Sequence, residues 1–163
     1  MTATVTYITH NLINTKVGVV AHGCNCQGVM GSGVAADIKG KWPIVYERYH
    51  SFVSNFRGLK RDMLGLAYIV NVGESAFPEI NQLFVSNMFT QERYGRDGAA
   101  YASAPAIASS LKATMGFCEA ADLPLYMPRV GCGLGGLNWE KDVQPILAEM
   151  LIAYPITVYV CDK

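Results

Sequence analysis

A glycine-dense turn between an apolar run and an amphipathic run most constrains the fold of this chain. The turn is residues 128–136, PRVGCGLGG; residues 123–127 before it are typical of a buried strand and residues 138–153 after it predict a helix. Glycines let main-chain N–H groups approach a ligand, and a helix start adds unpaired N–H groups. The junction therefore favours an anion such as a phosphate, with a tight turn that binds nothing as the alternative. It matches neither a Walker loop nor a dinucleotide fingerprint.

A second glycine-rich turn has the same setting near the start of the chain. The apolar residues 17–22 predict a buried strand, residues 23–33, GCNCQGVMGSG, form the turn, and residues 34–41 predict a helix that ends at Trp42-Pro43. Both turns leave strands and enter helices, so we expect them on the same rim of a sheet. If their strands are neighbours, the turns face each other and can hold the two ends of an extended diphosphate.

The remaining pattern alternates strands with helices and predicts one α/β domain over residues 1–163, with three α/β/α layers and a mixed central sheet. Residues 64–72 and 82–88, joined by a loop with Pro78, predict an antiparallel hairpin. Ser103 is the expected N-cap of a helix that ends near residue 121. The other predicted elements are strands at 4–9 and 156–161, a helix at 44–56, and polar loops at 10–15, 58–62 and 89–98.

Composition limits the function classes that are open to the chain. Its 163 residues are 51% hydrophobic, and 13 basic residues balance 13 acidic ones, which argues against strong nucleic-acid binding. No segment has the pattern of a signal peptide or the length of a membrane span. The cysteines resemble neither a disulfide framework nor a metal site, so we predict a cytoplasmic protein without metal or cofactor. They are Cys24, Cys26, Cys118, Cys132 and Cys161.

The two turns and their flanks hold the candidates for chemistry. Asn25 can bind a ribose hydroxyl or position a water, or it can satisfy its own turn. His22 is either a general acid or base or a buried structural histidine. Arg129 either contacts a phosphate or forms a structural salt bridge. Cys132 has no evident partner base, which favours a small tolerated side chain over a nucleophile.

Two further groups have open alternatives. Asp37 and Lys39 lie on the helix after the first turn, where helical spacing from Gly33 directs Asp37 to the side of the turn; the alternative for either residue, a solvated helix face, is favoured. Arg93, Tyr94 and Arg96 can close over a phosphate or a base ring, or can form a plain solvated loop.

These motifs resemble the two ligand loops of macrodomains. Residues 21–28, AHGCNCQG, with 30–35, MGSGVA, resemble the first loop, and residues 127–134, MPRVGCGL, with Trp139-Glu140, resemble the second. The last strand, at 157–160, also fits. The resemblance covers nearly the whole chain and looks closest to the branch of the ADP-ribose 1''-phosphate phosphatases and the terminal ADP-ribose glycohydrolases that act on glutamate esters.

The resemblance implies a small-molecule ligand, ADP-ribose or ADP-ribose 1''-phosphate, and implies no oligomeric state. By motif position, Asn25 contacts the distal ribose and Asn11 and Leu12 contact the adenine. The other ligand-binding residues implied are Cys24, Met30, Gly31, Ser32, Gly33, Val34, Arg129, Val130, Gly131, Cys132, Gly133, Leu134 and Gly135.

The chain departs from the family pattern at two positions. Asn11 stands where the family usually has an adenine-reading aspartate, and Gly135 stands where the glutamate-ester glycohydrolases have a catalytic aspartate. Lys39 is the candidate for the helix lysine of those glycohydrolases. A phosphatase with Asn25 and His22 acting on a water is therefore expected first. An ADP-ribosyl hydrolase that depends on Lys39 and a non-catalytic ADP-ribose reader are the alternatives.

Overall fold

A six-stranded sheet forms the centre of the molecule. The computed structural model describes residues 3–73, 82–95 and 97–163. The strand order is β1-β6-β5-β2-β4-β3, and neighbours run parallel except β3, which is antiparallel to β4. The mixed sheet and the antiparallel pair are thereby confirmed, while the loop with Pro78 lies outside the described residues. The strands are β1 (Thr4–Thr9), β2 (Gly18–Asn25), β3 (Ala67–Asn71), β4 (Leu83–Gln91), β5 (Leu125–Met127) and β6 (Thr157–Asp162).

Within the described ranges, four helices cover the two faces of this sheet, as the predicted three layers require. They are α1 (Gly33–Lys41), α2 (Pro43–Asn55), α3 (Ala104–Ala121) and α4 (Gln144–Ala153). Alternate side chains of β2 point to opposite faces. Val20 therefore packs in the cluster that contains α1 and α2 residues, while Val19 and Ala21 pack in the cluster that contains α3 and α4 residues. No helix in the described ranges is long and apolar enough to cross a membrane.

Several predicted boundaries are wrong by a few residues. The loops expected at 10–15 and 58–62 contain the 3₁₀ turns Leu12–Asn14 and Lys60–Met63. The loop expected at 89–98 starts later, because β4 keeps its pairing with β2 up to Gln91. The same pairing extends β2 into the first glycine turn as far as Asn25. The helix expected at 138–153 begins with a wider turn, Trp139–Val143, in which the Gln144 N–H donates to the Trp139 carbonyl.

The strand order brings three strand ends together. β2 lies between β5 and β4 and is parallel to both, so all three carboxyl ends reach the same rim. The first glycine turn follows β2 and the second follows β5. The expectation that the two turns face each other is therefore met, because the strands before them are hydrogen-bonded neighbours.

Candidate functional site

A cavity of about 560 Å³ opens at the carboxyl ends of β2, β4 and β5. Its volume is within the usual range for small-molecule sites, roughly 300–1,000 Å³. Both glycine turns form walls, and the end of β4 with its following loop forms a third. The lining residues are His22, Gly23, Cys24, Asn25, Val29, Gly31, Ser32, Gly33, Val34, Ala35, Thr90, Gln91, Tyr94, Gly95, Pro128, Arg129, Val130, Gly131, Gly133, Leu134 and Gly135.

Asn25 holds the first turn in shape with its own side chain. Its Oδ1 accepts from the Gln27 N–H at 3.0 Å and from the Val29 N–H at 3.3 Å, and its Nδ2 donates to the Val29 carbonyl at 2.9 Å. Asn25 therefore satisfies the polar groups of its own turn, which was the structural alternative to ligand binding. Because Asn25 also lines the cavity, the ligand-binding role stays open beside it.

The second turn presents main chain to the cavity. Gly131 has a φ of +78°, a conformation that side-chain-bearing residues rarely adopt. A Cβ at Gly135 would lie 2.6 Å from the Gly131 carbonyl oxygen, so this close approach requires glycine. A Cβ at Gly133 would meet no atom within 4 Å. The turn is therefore closed around Gly131 and Gly135 and open at Gly133.

His22 is buried beneath the cavity and is 1% exposed. The Asn87 Nδ2 donates to the Tyr68 carbonyl, so the Asn87 Oδ1 accepts, and the His22 Nε2 that lies 2.6 Å away carries the proton. Burial lowers the pKa of His22 to about 4, outweighing the bond to Asn87. At neutral pH its Nδ1 is an unprotonated acceptor without a hydrogen-bond partner among the described residues. The acid or base role of His22 stays a prediction, and this pKa makes it a weak base.

Of the two roles predicted for Arg129, the structure contains the salt bridge. Its Nε lies 3.0 Å from the Asp162 Oδ1, and Glu140 lies 3.8 Å from another guanidinium nitrogen. The guanidinium also lies over the rings of Tyr7 and Trp139. Arg129 lines the cavity, yet its charge is already paired across the ends of β5 and β6.

Lys39 and Asp37 lie on the surface of α1. The Lys39 Nζ is 3.9 Å from the centre of the Tyr46 ring, and Asp37 pairs with Lys163 at 3.2 Å. Neither residue lines the cavity. The favoured interpretation of both as a helix face agrees with these contacts, and a catalytic role for Lys39 would require it to leave Tyr46.

Four of the expected ligand contacts lie outside the cavity lining, for identifiable reasons. Leu12 and Met30 are packed in the core, and Asn11 caps its 3₁₀ turn by accepting from the Ile13 N–H. The Cys132 thiol donates to the Val130 carbonyl, and burial raises its pKa. Contact of these residues with a ligand stays a prediction.

Cys24 does line the cavity, but its thiol donates to the Met88 carbonyl. Burial raises the pKa of Cys24 well above its ordinary value. Both Cys24 and Cys132 are therefore neutral thiols, as expected of small side chains rather than nucleophiles.

The sequence interpretation missed the third wall of the cavity. Thr90 and Gln91 end β4, and Tyr94 and Gly95 follow in the loop. Tyr94 was expected to contact a ligand only as part of a closing patch; Arg96 of that patch lies outside the described residues. The parallel pairing of β4 with β2 places these residues at the cavity. Identifying them from the sequence would have required knowledge of the strand order.

This chain is similar to known proteins, of which three are described. An ADP-ribose 1''-phosphate phosphatase of Meyerozyma guilliermondii is 28% identical, over 94% of this chain and 97% of that protein. A solved Bacteroides thetaiotaomicron protein of unknown function is 31% identical, with a TM-score of 0.81 and 99% of both chains covered. The macrodomain of Mycobacterium tuberculosis DarG is 21% identical, with a TM-score of 0.77 over 98% of this chain and 99% of that chain. No protein-family model matches the sequence.

Proposed function

This chain is a macrodomain by its fold, and from that premise we propose that it binds ADP-ribose and converts ADP-ribose 1''-phosphate to ADP-ribose and phosphate. The observation that carries the proposal is the cavity between the two glycine turns. Its walls expose the main chain at Gly131 and Gly133, where N–H groups suit the oxygens of a diphosphate. The curated relative of nearly equal length bears the name of this activity. We propose that residues 1–163 act as one domain.

The proposed reaction is a hydrolysis at the terminal phosphorus. A water attacks this phosphorus, the bond to the ribose oxygen breaks, and the proton that the water loses is transferred to the leaving oxygen. Positioned main-chain N–H groups stabilise the charge that develops on the phosphoryl oxygens, which is the larger part of catalysis in phosphoryl transfer. We assign Asn25 to orientation of the water or the ribose and keep His22 as the candidate base.

The first experiment measures phosphate release from ADP-ribose 1''-phosphate, together with ADP-ribose binding by calorimetry. We expect Gly133→Glu to abolish both, because the new carboxylate would occupy the open side of the turn and repel the diphosphate. The substitution should leave the fold intact, since nothing lies within 4 Å of a Cβ at Gly133. Gly40→Glu is the matched control: Gly40 has the same open space and lies on α1, outside the cavity lining.

Two results would count against the proposal. Full phosphate release by Gly133→Glu would place the reaction outside this cavity. Tight ADP-ribose binding by the wild type without phosphate release would reject the phosphatase and leave binding alone.

One observation favours a non-catalytic ADP-ribose reader as the second candidate. None of the described residues that line the cavity carries a carboxylate, and the lining histidine is a weak base. General acid–base catalysis contributes roughly 10²–10⁴-fold where it operates. The same cavity therefore suits either a slow phosphatase or a reader without catalysis. Measuring the turnover of ADP-ribose 1''-phosphate distinguishes the two functions.

We also propose a reducing, cytoplasmic setting. All five cysteines are free, and four of them are buried. Free cysteines are typical of proteins in reducing compartments, where disulfides are rare.

A further inference from the structure

The hydroxyl of Tyr49 reaches the first glycine turn from α2. Tyr49 is fully buried, and its Oη lies 2.7 Å from the Asn25 carbonyl oxygen and 2.9 Å from the Asn25 Oδ1. Both of these atoms are acceptors, so the hydroxyl hydrogen is directed towards them. Burial raises the pKa of Tyr49 well above its ordinary value, which keeps the hydroxyl a donor at any working pH.

The contacts of Asn25 determine which way its amide faces. Its Oδ1 accepts from the N–H groups of Gln27 and Val29 and lies within bonding distance of Tyr49. An amide oxygen has two lone pairs, and three donors lie within bonding distance of this one, so it has no acceptor capacity left for a ligand. The Nδ2 has two hydrogens and gives one to the Val29 carbonyl. The second N–H is the polar function that Asn25 can offer to the cavity.

We propose that Tyr49 is a positioning residue that fixes the amide of Asn25 so that it donates to the ligand and does not accept from it. The choice of ADP-ribose as the probe rests on the proposed function. A reversed amide would place Nδ2 against two N–H groups and Oδ1 against the Val29 carbonyl. The main chain therefore opposes reversal, and Tyr49 adds to this because its one hydroxyl hydrogen is shared between the oxygen of the same amide and the carbonyl oxygen of the same residue.

The test is Tyr49→Phe, which removes the hydroxyl and keeps the ring. We expect the Kd for ADP-ribose to rise about tenfold, because an Asn25 amide that is no longer held in place loses its one hydrogen bond to the ligand, with the Kd for ADP changed less than about twofold. ADP lacks the distal ribose that Asn25 is proposed to contact, so it reports on general damage to the cavity. Equal weakening of both ligands, or of neither, would overturn the positioning role.

Tyr46→Phe is the matched control on the same helix. Tyr46 is half-buried, its hydroxyl lies 3.5 Å from His50, and it does not line the cavity. We expect it to bind both ligands as the wild type does. Thermal unfolding of both variants checks that the fold is kept.

A measurement without ligand separates this inference from the proposed function. In ¹H–¹⁵N spectra, the side-chain amide pair of Asn25, identified by its loss in Asn25→Asp, should shift in Tyr49→Phe and stay in place in Tyr46→Phe. An unchanged pair in Tyr49→Phe would refute the inference. In the wild type, a nuclear Overhauser contact between the Tyr49 hydroxyl proton and the Asn25 amide is expected, and its absence would also count against it. If the wild type binds no ADP-ribose, the proposed function fails while these spectra still decide the role of Tyr49.

Discussion

At the scale of single residues, the second turn shows why glycine is needed at some positions and merely allowed at others. The Gly135 carbonyl accepts the N–H groups of Tyr101 and Ala102, which ties the turn to the residues before α3. A Cβ at Gly135 would also meet the Gly131 carbonyl. Gly133 faces open space. No other described residue fills the space left by its missing side chain, so this space is available to a ligand.

This difference predicts that alanine is destabilising at one position and nearly neutral two residues away. Gly135→Ala would place its Cβ 2.6 Å from the Gly131 oxygen and 2.9 Å from the Ala102 Cβ. We expect it to lower the free energy of unfolding by about 1–3 kcal/mol, the usual scale of overpacking, and to weaken ADP-ribose binding as the turn shifts. Urea denaturation and calorimetry provide the measurement. Gly133→Ala is the control and should change stability by less than about 0.5 kcal/mol; equal losses would contradict the argument.

At the scale of elements, helix α3 supports both the sheet and the second turn. It packs on β4, β3 and β2, and residues just before its start donate to the Gly135 carbonyl. Its first turn is closed by Ser103, whose hydroxyl oxygen accepts from the Ala106 N–H at 3.3 Å. The placement of the turn therefore depends on where this helix begins.

Removing the cap should loosen this end of α3. We expect Ser103→Ala to cost about 1 kcal/mol of stability, because an N–H of the first helical turn loses its acceptor. Ser109→Ala, at an exposed position of the same helix, should be close to neutral. Denaturant midpoints of the two variants give the comparison. A neutral Ser103→Ala would mean that solvent replaces the cap without loss.

At the scale of the whole molecule, burial of His22 links folding to pH. Its pKa is about 4 in the folded chain and near 6.5 when unfolded, so the unfolded chain binds the extra proton between these values. The contribution of His22 to stability is therefore full above about pH 6.5 and is lost as the pH falls towards 4.

Between pH 7 and pH 5 this one group should lower the free energy of unfolding by about 2 kcal/mol. His22→Gln keeps a donor for the Asn87 Oδ1 and removes the titration, so its stability should fall less over the same interval. Urea denaturation at each pH measures both proteins. Parallel loss in the two would show that other groups carry the acid sensitivity.

The sequence by itself determined the strand and helix pattern, the hairpin of β3 with β4, and the two glycine turns as the walls of a site. These features are local: hydrophobic period, Ser103 at a helix start, and glycines between a strand and a helix can be recognised without knowing the partner elements. Boundaries moved where pairing decided them, since β2 and β4 extend each other to Asn25 and Gln91.

What only the tertiary structure decided were the partners of each polar group. The pairing of Arg129 with Asp162, the position of Lys39 over Tyr46, and the third wall at the end of β4 all join residues distant in the sequence. Tyr49, a buried residue of α2, likewise contacts the amide oxygen of Asn25. Such contacts depend on which strands become neighbours and which helix face is buried, and these follow from packing of the whole chain.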